Sequence, residues 1–481
     1  MADQEVQPDV ENSPVKKEDR SHVYLQLISS FIINLTLFSA GLCYGWVTVS
    51  LPALKASTSD VHLTNGEAGW VASGIPIGAC IGPVTAALLL DYIGRKWTLY
   101  LMSIPFLASW ILTYLAHSWL LLFVAKLIAG ISIGAVIGIV PIYLGELVEK
   151  KIRGASSAMI GLFLNLGQLF MFGVGPLVNG KMLALIGLVP SVILLLTAPW
   201  IPESPYYYLK RGKEKSAELS LIWLRRNRNN KDEIKQMHQL IEDEKGGGIK
   251  HLFTKTHRKP LLILLLLLSG QQLCGYLGVQ SYAIQLFTSM RLSFSENTAL
   301  LTTYGVSVVL STLAALTVDK LGRKPVYLIA SFGSSFCLFV IGAYLLVPRF
   351  GINVDNLYWV PFAAILLYIA FFSFGLAQIP AIISSEIFPL NVKSYATMIA
   401  NVYGSVLGLI VVKCYQLLAD AVGVYSVLLS FGVIELVIAI TACIFMPETS
   451  RKSFTEIQEI LKTNVPVHPD ANDSNDSNDS K

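Results

Sequence analysis

Charged side chains are scarce in this sequence. Asp, Glu, Lys and Arg make up 14% of its 481 residues, whereas a soluble globular protein has about 25%. Hydrophobic residues reach 53%, and the mean hydropathy is +0.58. This composition excludes an ordinary water-soluble enzyme, a disordered chain and a coiled coil. The net charge of +4 is too small to indicate nucleic acid as a partner. A polytopic membrane protein is the class that remains.

Residues that carry chemistry are also few. The six cysteines lie in apolar runs, and none has the spacing of a metal ligand or of a disulfide framework. The sequence contains no nucleotide-binding loop and no nucleophile motif. We therefore expect no metal, no cofactor and no enzymatic activity. Residues 1–22 are polar and lack the pattern of a cleaved signal peptide, so we expect the first apolar segment to be retained.

Long apolar runs dominate the rest of the chain. A membrane-spanning helix needs about 20 apolar residues, because the hydrocarbon layer is about 30 Å thick. The runs are long and lack the alternation of strands, which favours helices. The sequence predicts twelve spans, near 24–51, 67–90, 97–115, 119–145, 155–178, 182–201, 260–290, 297–318, 325–347, 357–385, 393–420 and 424–446.

The distribution of Lys and Arg predicts the orientation. With the N-terminus in the cytoplasm, 30 of these residues fall in cytoplasmic segments and 4 in outer loops, as the positive-inside rule requires. Both termini are therefore expected in the cytoplasm. The predicted organisation is a cytoplasmic tail at 1–22, a six-helix bundle at 23–205, a cytoplasmic helical linker at 206–258, a second six-helix bundle at 259–449 and a cytoplasmic tail at 450–481 that is disordered from about 464.

Three short patterns occur once in each half. Asp91–Lys96 recurs as Asp319–Lys324, Glu146 with Arg153 recurs as Glu386 with Lys393, and Pro202-Glu203 recurs as Pro447-Glu448. Each copy follows the corresponding helix of its half, which indicates a parallel duplication. Ion pairs at these helix ends either clamp the two halves together or anchor the helix ends statically, and we favour the clamp. The predicted latch comprises Asp91, Gly94, Arg95, Glu146, Arg153, Glu203, Asp319, Gly322, Arg323, Glu386, Lys393 and Glu448.

Together these motifs resemble the sugar porter family of the major facilitator superfamily. The resemblance spans about residues 25–460, and within the family the chain looks most like the insect facilitated trehalose transporters. It implies an all-α membrane protein with twelve helices in two six-helix bundles, alternating access and a binding site near mid-membrane. The implied partners are a small-molecule sugar and the lipid bilayer, at the plasma membrane. The oligomeric state is unknown, with a monomer as the default. The matching segments are Asp91–Lys96, Pro141–Glu146, Arg153-Gly154, Pro202–Tyr207, Gln271–Leu273, Asp319–Lys324, Ser385–Pro389 and Pro447–Thr449.

The implied sugar site departs from the family pattern. Gln271 and Gln272 are kept, but Leu277 stands where the family has an asparagine, and the tryptophan near Pro380 is missing. Each lost hydrogen bond costs about 0.5–1.5 kcal/mol, so other polar groups must compensate or the substrate must differ. The candidate substrate-binding residues are Asn165, Gln168, Gln271, Gln272, Tyr276, Gln280, Ser307 and Gln378.

Ionisable residues within the spans are functional candidates because they are costly in hydrocarbon. Lys126 either binds a polar substrate or caps an inner gate, or it pairs within its own half. Lys413 is expected to pair with Asp420 two turns away. Glu435 is a possible proton site, a buried neutral carboxyl or a partner of Lys413. Gly375 and Pro380 either break the tenth helix for gating, or the glycine merely allows close packing.

The first span contains no Asp or Glu, whereas proton-coupled sugar porters carry an aspartate there. The sequence therefore favours facilitative uniport of a sugar, trehalose or a hexose. The alternative is a non-transporting sugar sensor, or a carrier of another small polar solute, because several sugar-binding positions are lost.

Overall fold

The computed structural model describes residues 21–56, 61–149, 152–226, 230–244, 249–449 and Glu456. Nearly all of the described residues are helical. Most of the two predicted tails, including the disorder expected from about 464, lies outside these residues.

The first half consists of six long helices. A capping box begins the second helix, where the Thr64 side chain accepts from the Glu67 amide and Glu67 accepts from the Thr64 amide. The second and fourth helices pack closely because glycines line their contact: a Cβ on Gly130 would lie 2.2 Å from the Ile75 carbonyl oxygen. The six are α1 (Ser21–Lys55), α2 (Asn65–Ile93), α3 (Arg95–Tyr114), α4 (Trp119–Leu147), α5 (Arg153–Val174) and α6 (Gly180–Thr197).

Short helices occupy the polar segment between the halves, as its charge and spacing predict. Tyr207 and Arg211 donate to the carbonyls of Tyr92 and Asp91, at the end of α2. The linker therefore lies against one end of the first half, which we call the linker face; the opposite end is the far face. The four helices are α7 (Pro205–Lys210), α8 (Glu214–Arg225), α9 (Lys231–Glu244) and α10 (Ile249–Leu252).

The second half repeats this plan with two interruptions. The predicted span 260–290 is broken at Gly275, whose φ of +88° suits glycine. The predicted span 357–385 is interrupted by the π-helical stretch Phe372–Leu376. The helices of this half are α11 (Lys255–Leu273), α12 (Tyr276–Ser281), α13 (Ala283–Ser289), α14 (Glu296–Leu321), α15 (Arg323–Leu346), α16 (Trp359–Phe371), α17 (Ile379–Ile387), α18 (Leu390–Ala421) and α19 (Val424–Phe445).

Within the described residues, 11 helical stretches are long and apolar enough to cross a membrane. The remaining predicted span, near 297–318, corresponds to α14. Its 26 residues extend about 39 Å at 1.5 Å per residue, which exceeds the hydrocarbon thickness.

The two halves meet along seams where α1 packs on α12 and α13, α18 packs on α2 and α4, and α5 packs on α14. Toward the far face, the Thr48 hydroxyl donates to the Gln280 carbonyl over 2.9 Å. The Gln416 amide donates to the Asn65 carbonyl over 2.6 Å. The halves are thus joined at the far face.

Candidate functional site

The first predicted latch cluster is assembled at the linker face. Arg95, at the start of α3, donates from Nε to both carboxylate oxygens of Glu146 on α4, over 3.1 and 2.9 Å, and from Nη2 over 2.9 Å. The Ser204 hydroxyl also donates to Glu146. Charge-assisted bonds of this kind are stronger than neutral ones, so they tie α3, α4 and the linker together.

Glu203 caps the start of α3. Its carboxylate accepts from the backbone amides of Arg95 at 3.0 Å, Lys96 at 3.1 Å and Ser204 at 2.8 Å. A helix N-terminus attracts negative charge because its first amides lack partners. Gly94 precedes α3 with φ +96°, and a Cβ there would lie 2.3 Å from the Glu203 carboxylate. Burial raises the pKa of Glu203, while the backbone donors oppose that shift.

The second half builds the same arrangement. Glu448 accepts from the amides of Arg323 and Lys324, both at 3.0 Å. Arg323 donates to Glu386 over 2.8 Å, and the Thr449 hydroxyl donates to the other oxygen of Glu386 over 2.6 Å. The sequence repeat is therefore a structural repeat, with Gly322 at φ +87° in the place of Gly94.

The bonds just described connect elements of the same half, so they make each half rigid at the linker face. A clamp between the halves stays a prediction. Asp91 lies at the surface and pairs with Lys210 at 3.4 Å. Lys393 lies near the start of α18. The side chains of Arg153 and Asp319 lie outside the part of the chain that the structure describes.

Three candidate glutamines gather where α11 and the tenth span are interrupted. Gln271 donates to the Ala377 carbonyl over 3.1 Å, and Gln272 donates to Gln271 over 3.3 Å. The Gln378 amide nitrogen is 3.5 Å from the Cβ position of Gly161, which lies in the first half. Gln378 therefore lies at the boundary of the two halves.

Two further candidates are on α5. Asn165 donates to Ser311 of α14 over 3.1 Å and so bridges the halves. Gln168 is 3% exposed, and its side-chain oxygen has no hydrogen-bond partner among the described residues. An unsatisfied buried amide costs free energy, and a solute hydroxyl would satisfy it.

The remaining candidates are held within the second half. Ser307 and Ser373 hydrogen-bond each other at 2.8 Å, and Tyr276 stacks on Phe372 with ring centroids 3.7 Å apart. Gln280 is buried nearer the far face, and its amide nitrogen has no partner in the described part of the chain. Tyr276 and Ser307 thus contact the interrupted stretch Phe372–Leu376 that precedes Ala377 and Gln378, whereas Gln280 lies nearer the far face.

Lys126 is fully buried inside the first half. Its ammonium lies 3.5 Å from the ring centroid of Trp46 and 4.8 Å from that of Trp110, and it donates to Thr113 over 3.2 Å. Cation–π contacts compensate part of the cost of a buried charge. The tryptophans were not anticipated, because neither lies close to Lys126 in sequence.

Lys413 does not take its predicted partner. Its ammonium lies 3.9 Å from the ring centroid of Trp70 on α2, across the seam between the halves. The wrong expectation relied on spacing within one helix, whereas the contact is tertiary. Glu435 is also not its partner: it is buried and accepts from Ser331 within the second half.

Comparisons with known proteins agree with this architecture. The family model described as "Sugar (and other) transporter" matches residues 30–461. The "Facilitated trehalose transporter Tret1" of Apis mellifera ligustica is 30% identical over 95% of this chain and 94% of its own length. The protein of the same name from Bombyx mori is 30% identical over 91% of this chain and 86% of its own length.

Solved structures of similar fold include the proton:xylose symporter XylE bound to 6-bromo-6-deoxy-D-glucose. It has a TM-score of 0.74 at 21% identity and covers 91% of this chain and 100% of the symporter chain. The inward-open XylE from E. coli has a TM-score of 0.75 at 19% identity, covering 90% and 99%. At this identity the likeness establishes the major facilitator fold.

Proposed function

Because the chain belongs to the sugar (and other) transporter family, we propose that it carries a sugar, trehalose or a hexose, across the plasma membrane by facilitative uniport. The observation that carries this proposal is the 30% identity to a facilitated trehalose transporter over 95% of the chain. The absence of a carboxylate from the first span favours uniport over proton coupling.

The proposed pathway runs between the halves, past Gln271, Gln272, Gln378, Asn165 and Gln168. Each amide offers both donors and an acceptor, which suits a solute that presents hydroxyl groups on all sides. The contacts at the far face correspond to a closed outer gate, and opening it requires the halves to rock apart there.

The latch clusters support this motion by keeping each half rigid. Lys126 is proposed to act on gating through α1 and α3, which it joins to α4. Gly375 lies within the interruption of the tenth span and Pro380 follows it, and both are proposed to let this span bend. The linker face is proposed to be cytoplasmic, with both termini on that side and a monomer as the working unit.

The direct test is tracer uptake into proteoliposomes that contain the purified protein. We expect saturable uptake of trehalose or a hexose, with no accumulation driven by an imposed pH gradient. Gln272→Leu is expected to raise KM by about tenfold through a lost hydrogen bond, and Gln239→Leu, exposed on α9, serves as the matched glutamine control. Folded protein that moves none of trehalose, glucose and a polyol panel would refute sugar transport.

A further inference from the structure

A crevice of about 380 Å³ lies at the far face between the two halves. It is distinct from the three glutamines at the helix interruptions. Its walls come from α1 and the start of α2 on one side, and from α12, α13 and Tyr282 between them on the other. Thr48, Lys55, Asn65, Tyr282, Gln285 and Thr288 are among its lining residues. The volume falls within the range of about 300–1,000 Å³ typical of small-molecule sites.

The wall of the crevice that the second half provides contains an unsatisfied hydroxyl. Tyr282 lines it and is 5% exposed, yet its hydroxyl has no hydrogen-bond partner among the described residues. Tyr415 stacks beneath it with ring centroids 5.1 Å apart and an interplanar angle of 5°, which fixes the ring. Buried polar groups without a partner are uncommon in native proteins, so this hydroxyl points to a ligand.

The walls favour a neutral solute that carries many hydroxyls. Lys55 is the charged member of the lining, and Asp420 lies close enough to attract it. Thr48 donates to the Gln280 carbonyl, and Thr288 donates to the Ile284 carbonyl and the Glu296 carboxylate. Their oxygens therefore remain acceptors for solute hydroxyls. The Asn65 and Gln285 amides provide both donors and acceptors.

We propose that this far-face crevice is a second binding site for a polyhydroxylated solute, which docks there before the halves part. This proposal rests on the proposed function. The site exists while the far face is closed, because the Thr48–Gln280 contact lies against it. A solute held there is in place to enter the central pathway when that contact breaks.

The test uses protection from chemical labelling. Position 285 is exposed, so the thiol introduced by Gln285→Cys is expected to react with a membrane-impermeant methanethiosulfonate. The protein is placed in proteoliposomes with its far face outside. Gly180→Cys is the matched control, because it starts a helix in open space outside the crevice. Labelling of the chain without an introduced cysteine measures the contribution of its native cysteines, which is subtracted. Saturating trehalose is expected to slow labelling of Gln285→Cys about tenfold and to leave Gly180→Cys unchanged.

Further substitutions, each combined with Gln285→Cys, distinguish binding in the crevice from binding in the central pathway. With Tyr282→Phe, the trehalose concentration for half-protection is expected to rise about fivefold, as one lost hydrogen bond predicts. Lys55→Met on the opposite wall should act in the same direction, and it serves as the test if Tyr282→Phe does not fold. With Gln272→Leu, protection should persist.

The proposal is overturned if trehalose gives no protection, or if protection is lost with Gln272→Leu and unaffected by the two crevice variants. Uptake measured in the same vesicles tests the proposed function separately. Protection without uptake would leave the crevice site standing and refute transport.

Discussion

A single carboxylate, Glu203, helps to attach the linker to the first half. It serves three backbone amides and lies against Gly94, where any side chain would collide with it. The sequence predicted its participation through the repeated Pro-Glu pattern. Its role as a helix cap was not predictable, because the amides of Arg95 and Lys96 at the start of α3 are more than 100 residues away.

Glu203→Gln is expected to destabilise the protein by about 1–3 kcal/mol, because an amide group then faces donors that need an acceptor. Thermal melting of the purified protein measures the effect. Glu448→Gln should give a similar loss, and Glu218→Gln, exposed in the middle of α8, should give none. Equal melting of all three variants would rule out the capping role.

Lys126 differs from Glu203, because its substitution is expected to reduce sugar uptake without reducing stability. Lys126→Met removes about 2 kcal/mol of cation–π attraction, but it also removes the desolvation cost of a buried ammonium. We expect an unchanged or higher melting temperature together with at least a tenfold loss of sugar uptake. Lys215→Met, exposed on the linker, is the control. Reduced stability with normal uptake would show that Lys126 is structural.

At the scale of elements, most helices were predictable from the lengths of the apolar runs and the positions of the polar breaks between them. The break in the seventh span was not, because 260–290 contains no charged residue and has glycines at 270, 275 and 278. Gly275, which takes the positive φ, packs against Phe431, whose ring lies 2.4 Å from the position of a Cβ there. Such a tertiary contact leaves no local signature, so the interruption beside Gln271 and Gln272 could not be predicted.

Gly275→Ala is therefore expected to abolish folding or uptake, since alanine is strained at φ +88° and its Cβ would lie 2.4 Å from the Phe431 ring. Gly305→Ala on α14 meets nothing within 4 Å and should leave uptake intact. Both are assayed by size-exclusion profile and tracer uptake. Normal transport by Gly275→Ala would show that the break is dispensable.

At the scale of the whole molecule, the contacts that cross the far face set the balance between states. Trp70 with Lys413 and Asn65 with Gln416 both join α2 to α18. Neither was predictable from sequence, because each joins residues of opposite halves. The repeat, in contrast, was predictable, since duplicated motifs occupy equivalent helix ends.

Combining Lys413→Met with Gln416→Ala is expected to shift the population toward a far-face-open state by about tenfold, through loss of one cation–π contact and one hydrogen bond. Nitroxides at positions 66 and 421 would report longer distances, after the three cysteines that are not fully buried are replaced. Labels at 117 and 180, both in the first half, should not move. An unchanged distance distribution between 66 and 421 would contradict this assignment.

The twin caps of Glu203 and Glu448 have a consequence for how the chain can be divided. Each half is fastened where the polypeptide leaves its sixth span, by a carboxylate that reaches back to the start of its own third span. A half therefore closes on itself without help from the other. Two fragments separated within the linker and produced together should each fold to their native structure and reassemble. The covalent connection would then keep the two halves close together without determining the structure of either.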